Sequence, residues 1–112
     1  MILATYQLTA FRQMAGNDIQ GGKIRYGDSE SIFDCTVGTF DMSNPLMDGG
    51  KSPRMLGVVE VAMADYADAT FEQGHKFTVT PTVGAVRNCK LESFKQDGAL
   101  WQLTLEDLDQ GA

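Results

Sequence analysis

The last third of the chain alternates apolar and polar positions most clearly. In "KLESFKQDGALWQLTLED", residues 90 to 107, two apolar-patterned runs flank Asp97-Gly98, a strong hairpin signal. A two-residue turn at Asp97-Gly98 would set Leu91 against Thr104 and mix the faces. A three-residue loop, Gln96-Asp97-Gly98, sets Leu91 against Leu103, Cys89 against Leu105 and Ser93 against Trp101. One face is then mostly apolar, so the pattern favours this register, with Gly98 in a left-handed conformation. It also puts Phe94 and Trp101 on opposite faces. Trp101 is then expected in the core and Phe94 at an outer contact.

The same reading applied upstream gives short strands. "GGKIRYGDSESIFDCTVGTF", residues 21 to 40, reads as two strands joined at Gly27-Asp28-Ser29. "MLGVVEVAMADY", residues 55 to 66, reads as a third, with Val59, Val61 and Met63 on one side and Glu60 and Ala62 on the other. After a turn at Gln73-Gly74, Phe77 and Val79 alternate with Thr78 and Thr80, and Pro81 ends the strand because it has no N–H for the ladder. Residues 2 to 15 contain good helix formers and no Gly or Pro. Leu3, Tyr6, Ala10 and Met14 would share a helical face, with Gly16-Asn17 as the stop. The alternation Ile2, Ala4, Tyr6, Leu8 also fits a strand; the helix is the expectation. Between Asp41 and Arg54 there are two prolines, two adjacent glycines and no periodicity, which predicts a long functional or disordered loop.

The expected fold is therefore mainly β: a small sandwich or partly open barrel of about six strands with a short N-terminal helix. A length of 112 residues suits one domain. Residues 1–16 form the helix or arm, 20–107 the β domain, 41–54 the long loop and 108–112 a tail. Twelve glycines suit a fold with many turns.

Charge changes the picture. The net charge of −6 argues against a general nucleic-acid binder. The signs are also segregated. Asp28 to His75 holds nine acidic and two basic residues, Lys76 to Lys95 four basic and one acidic, and Gln96 to Ala112 four acidic and none basic. A molecule with an acidic and a basic patch can associate head to tail. Cys35 and Cys89 read as small buried hydrophobes, a disulfide being disfavoured in a reducing cytosol. The start "MILATYQLTAFR" has no basic region before its apolar residues, so no signal peptide is expected. No apolar run approaches membrane-spanning length. The expected location is the cytoplasm, with no membrane partner.

Candidate chemistry is sparse. Asp28-Ser29-Glu30 lacks a nucleophile-elbow pattern. His75, the single histidine, sits beside Gly74 in an expected turn, reads as an exposed turn residue and offers a poor triad member. Gly50-Lys51-Ser52 lacks the upstream glycine of a phosphate loop. Glu106-Asp107-Leu108-Asp109 has carboxylates for a hard cation but no further spaced ligands, and reads as a solvated tail. No catalytic residue, metal or cofactor is expected.

The segment "ADATFEQGHKFTVTPTVGAVRNCKLESFKQDGALWQLTLED", residues 67 to 107, resembles the C-terminal half of tailed-phage head–tail joining proteins. A small-polar stretch, the Gly74 turn, the Phe77–Val79 strand and a final hairpin closing on Leu103 and Leu105 follow in the same order. "KIRYGDSESIFDCTVGTF" resembles their first hairpin, and residues 41–54 their long inter-strand loop. The resemblance covers about residues 20 to 107, as a layout. It implies a structural virion protein of a phage or prophage, assembled in the bacterial cytoplasm. Its partners would be further copies of itself in a ring and the portal or adaptor and tail proteins at the neck. A tail-completion or terminator component, or a stand-alone β-barrel with a small-ligand pocket at its mouth, are the alternatives. The residues expected at the interface are Asp41, Met42, Asn44, Pro45, Leu46, Met47, Lys51, Arg54 and Phe94.

Overall fold

The computed structural model describes residues 2–16, 20–27, 29–42, 54–66 and 70–108. A helix, α1 (Ile2–Ala15), precedes seven strands: β1 (Gly21–Tyr26), β2 (Ile32–Val37), β3 (Asp41–Met42), β4 (Met55–Ala62), β5 (Lys76–Pro81), β6 (Arg87–Asp97) and β7 (Leu100–Asp107). The sheet is antiparallel in the order β2-β1-β5-β6-β7-β4-β3, and a further β2–β4 pairing closes it. The fold is thus mainly β, as expected: a small barrel of six strands, closed, with β3 as an extra strand and one short N-terminal helix. Closure leaves no free edge among the six barrel strands.

Period-2 alternation fills the barrel. Ile24, Cys35, Val59, Val61, Phe77, Val79, Cys89, Leu91, Leu103 and Leu105 all point inward and are fully buried. Both cysteines are free. Burial first, then the Asp34 carboxylate, pushes the Cys35 thiol up to about 12. One end is stopped by aromatic rings, with Phe71 packed on Tyr26, Tyr66, Phe77 and Trp101.

The last hairpin departs from the expected register. Its loop is Gly98-Ala99, closed by Asp97↔Leu100, and Leu91 faces Leu105, not Leu103. A bulge makes the difference: from Leu91↔Leu105 to Ser93↔Thr104, β6 advances two residues while β7 advances one. The extra residue flips everything after it, so Phe94 faces Leu103 and Gln96 faces Trp101. Phe94 and Trp101 therefore share a face, with their rings 5.8 Å apart. Gly98 does take a left-handed conformation, with φ of 61°.

The third predicted strand also ends early. β4 stops at Ala62, and Met63–Tyr66 forms a 3-10 turn anchored by Met63 N–H to the Ala99 carbonyl at 3.0 Å. The helix forms where expected and ends at Ala15, but it buries a different face. Phe11 and Ala15 pack with Ala62 and Leu100, while Tyr6, Ala10 and Met14 are exposed.

Gln7 explains the helix orientation. Its Nε2 donates to the Asp97 carbonyl at 2.7 Å, and its Oε1 accepts from the Ala99 N–H at 2.6 Å. The side-chain amide thus staples the helix to the hairpin turn. A Cβ on Gly98 would collide with that amide. Gly98→Val is expected to destabilise by about 2 kcal/mol, from the left-handed backbone and the displaced amide. Gly98→Asn should lose less, because Asn tolerates the left-handed backbone and the cost is mainly that of shifting the Gln7 amide off its two hydrogen bonds. Chemical denaturation showing Asn as stable as wild type would refute the staple.

Candidate functional site

The strand order sorts charge onto opposite walls. β1 and β5 are neighbours, and they stand across the barrel from β7 and β4. On β1 and β5 the outward positions include Lys23, Arg25, Lys76, Thr78 and Thr80, since Ile24, Phe77 and Val79 point inward. These outward positions carry no acidic residue. Lys23 is ion-paired to Asp34 on β2. On the far side the outward positions include Leu56, Val58, Glu60, Thr104 and Glu106, and Asp41 pairs with Leu56. This wall carries the carboxylates of Asp41, Glu60 and Glu106, the last of them offset by two cations. Glu106 is held by Arg54 at 3.1 Å and Lys90 at 3.9 Å.

Both walls carry exposed apolar side chains. Ile32 is 61% exposed and Val86 53% exposed beside Lys23 and Arg25; Val58 is 39% exposed on the acidic wall. Closure leaves side chains as the means of contact along these walls.

The second feature is the barrel mouth opposite the aromatic end. Arg87 and Asp107 enter the barrel from β6 and β7 and pair at 2.5 Å, with the Asp107 side chain 2% exposed. The Arg87 guanidinium lies 4.4 Å from the centre of the Phe40 ring. Phe40 reaches this place because the β2–β3 line carries an extra residue. From Val37↔Val59 to Asp41↔Leu56 the chain advances four positions against three. The Phe40 ring covers Gly57, where a Cβ would collide with it. Above the pair opens a pocket of about 470 Å³, lined by Val37, Phe40, Pro81, Val86, Arg87 and Asp107 among others.

The expected interface residues fall into three groups. Asp41 and Met42 lie on β3 and are exposed, so strand structure begins inside the segment read as loop. Asn44, Pro45, Leu46, Met47 and Lys51 lie outside the described residues. Arg54 sits between Glu92 at 2.7 Å and Glu106, with its side chain 16% exposed. Phe94, 40% exposed, leans on Phe71 and Trp101 at the rim of the aromatic end.

Two expectations about polar residues are corrected. Glu106 and Asp107 are no solvated tail: one joins a surface ion network and the other is buried against Arg87. His75 is not a plain exposed turn residue: Nδ1 is hydrogen-bonded to the Tyr26 hydroxyl, and Nε2 lies 3.8 Å from Glu72. The Tyr26 hydroxyl also reaches the Thr70 carbonyl at 3.2 Å. Burial, then the Glu72 charge, raises the Tyr26 pKa. This phenol–imidazole–carboxylate set ties the turn before β5 to the end of β1. Nothing in the local pattern announces it, since Tyr26 and His75 are 49 positions apart. Among the described residues no three His, Cys, Asp or Glu side chains gather as a metal ion requires.

No family model, curated protein or solved structure matches the chain. The geometry of the barrel is therefore what bears on function.

Proposed function

We propose that this chain is a ring-forming structural protein of a phage or prophage virion, a head–tail joining component at the neck between portal and tail. The observation that supports it most is the separation of a basic wall on β1 and β5 from an acidic wall on β3, β4 and β7. Such a subunit is self-complementary head to tail, the geometry from which closed rings are built. The accessible surface is 6959 Å². Two ring contacts of roughly 800 Å² each would use about a quarter of it. The partners are further copies of the chain, the portal or adaptor and the tail. The site of action is the virion, after assembly in the bacterial cytoplasm. The reading assigns no catalytic role.

Deleting residues 44–52 tests it. The deletion should leave a folded β-rich subunit, because the barrel core lies elsewhere, and should abolish joining of tails to filled heads. His75→Ala should leave joining intact. Heads and tails complemented in vitro with each protein and scored as infectious particles give the answer. Normal joining by the deletion together with failure of His75→Ala would overturn the proposal.

The mouth pocket favours a second reading, a small-ligand-binding barrel. Its size suits a small molecule, and Arg87 would orient an acidic group on it. Saturable binding of a carboxylate-bearing compound by the wild type, lost in Phe40→Ala, would support that reading.

A further inference from the structure

The two walls differ in more than charge. Against β1 lies a depression of about 380 Å³ lined by Lys23, Arg25, Ile32, Thr78, Thr80 and Val86, with Ile32 and Val86 exposed between the cations. On β4 the outward strip runs Leu56, Val58, Glu60, with Asp41 beside Leu56. Each patch has an apolar centre and a charged border: Lys23, paired to Asp34, and Arg25 make the first net positive, and Asp41 and Glu60 make the second negative.

We infer that the Ile32–Val86 depression of one copy receives the Val58 strip of the next, with Lys23 and Arg25 facing Asp41 and Glu60. Apolar side chains supply the contact and the charges set its polarity and exclude the like-with-like arrangement. The occupant is a second copy because the complement of each patch is found on the same chain. The contact rests on the ring reading and specifies it.

Position round the barrel gives the assembly its shape. Neighbouring strands of a six-stranded barrel are about 60° apart about its axis. One patch centres on β1 and the other on β4, two strands away, with β2 between them. Their directions differ by about 120° rather than 180°, so successive copies turn. A heterologous contact that turns can close into a ring where its rotation closes, whereas one whose rotation does not close grows into a filament.

Light scattering of the purified chain over a range up to about 1 mM tests the contact, a span that reaches weak association. The wild type should approach one finite mass and dissociate as salt is raised. Arg25→Glu and Glu60→Lys should each weaken association by about tenfold or more, because each sets like charges face to face. The double variant restores opposite signs and should recover most of the loss. Ile32→Asp, at an exposed position, should weaken association without changing the melting temperature. A wild type that stays monomeric throughout, singles that associate normally, or folded singles that the double fails to rescue would each overturn the contact. Head–tail complementation separates it from the virion reading. If association follows the charges but no variant affects tail joining, the contact stands and the neck assignment falls.

Discussion

Replacing Arg87 by Leu is expected to destabilise the barrel by about 3 kcal/mol at neutral pH. The Asp107 carboxylate is almost wholly buried at the mouth, and Arg87 is the cation beside it. Removing that cation takes the guanidinium away from a desolvated carboxylate, which costs more than the pair contributes. The figure lies at the lower end of the usual range because the Arg87 side chain is 30% exposed and water reaches the pair. Losing the guanidinium over Phe40 adds a smaller part. Arg87→Lys should fall between, since an ammonium keeps the charge but not the planar stack. Arg87→Leu combined with Asp107→Leu should recover most of the stability, because the charge and its desolvation are both gone. Urea denaturation of the four proteins measures this. A double variant as unstable as Arg87→Leu alone would show that Asp107 is held chiefly by other groups.

That pair also shows where the sequence stopped being legible. Strands whose signal is local were readable: the β1–β2 hairpin, the inward Phe77 and Val79, and the stop at Pro81. The left-handed Gly98 followed from its place between two patterned runs. The helix was readable from composition, but its face was not. Gln7, a polar residue outside any apolar stripe, fixes the orientation by binding the hairpin turn. The two bulges were invisible, because alternation assumes one residue per step on both strands. The bulge at Glu92 moved Phe94 to the face of Trp101, and the one before Asp41 carried Phe40 over Gly57. Asp107 looked like part of a solvated acidic run, because nothing local shows that β6 would bring Arg87 beside it. Charge order along the chain hinted at two patches. Their separation onto facing walls depends on barrel closure through β2 and β4, a long-range pairing.

Phe77→Ala should be the most damaging single truncation, by about 4 kcal/mol. Phe77 is 1% exposed, with the Tyr26 ring 4.8 Å and the Phe71 ring 6.0 Å away. Its loss leaves a cavity under rings that close the barrel and cannot all collapse inward. For a domain of this size that corresponds to a fall in melting temperature of about 20 °C. Phe94→Ala is the informative contrast. Phe94 belongs to the same aromatic group, but it sits at the rim with two-fifths of its surface in water. Its truncation should cost about 1 kcal/mol in the isolated subunit, from the apolar area it does bury. If Phe94 serves an assembly contact, its loss should weaken association by light scattering far more than it lowers the melting temperature. Equal stability losses from Phe77→Ala and Phe94→Ala, with association of the folded Phe94 variant unchanged, would make Phe94 a core residue and remove it from the interface.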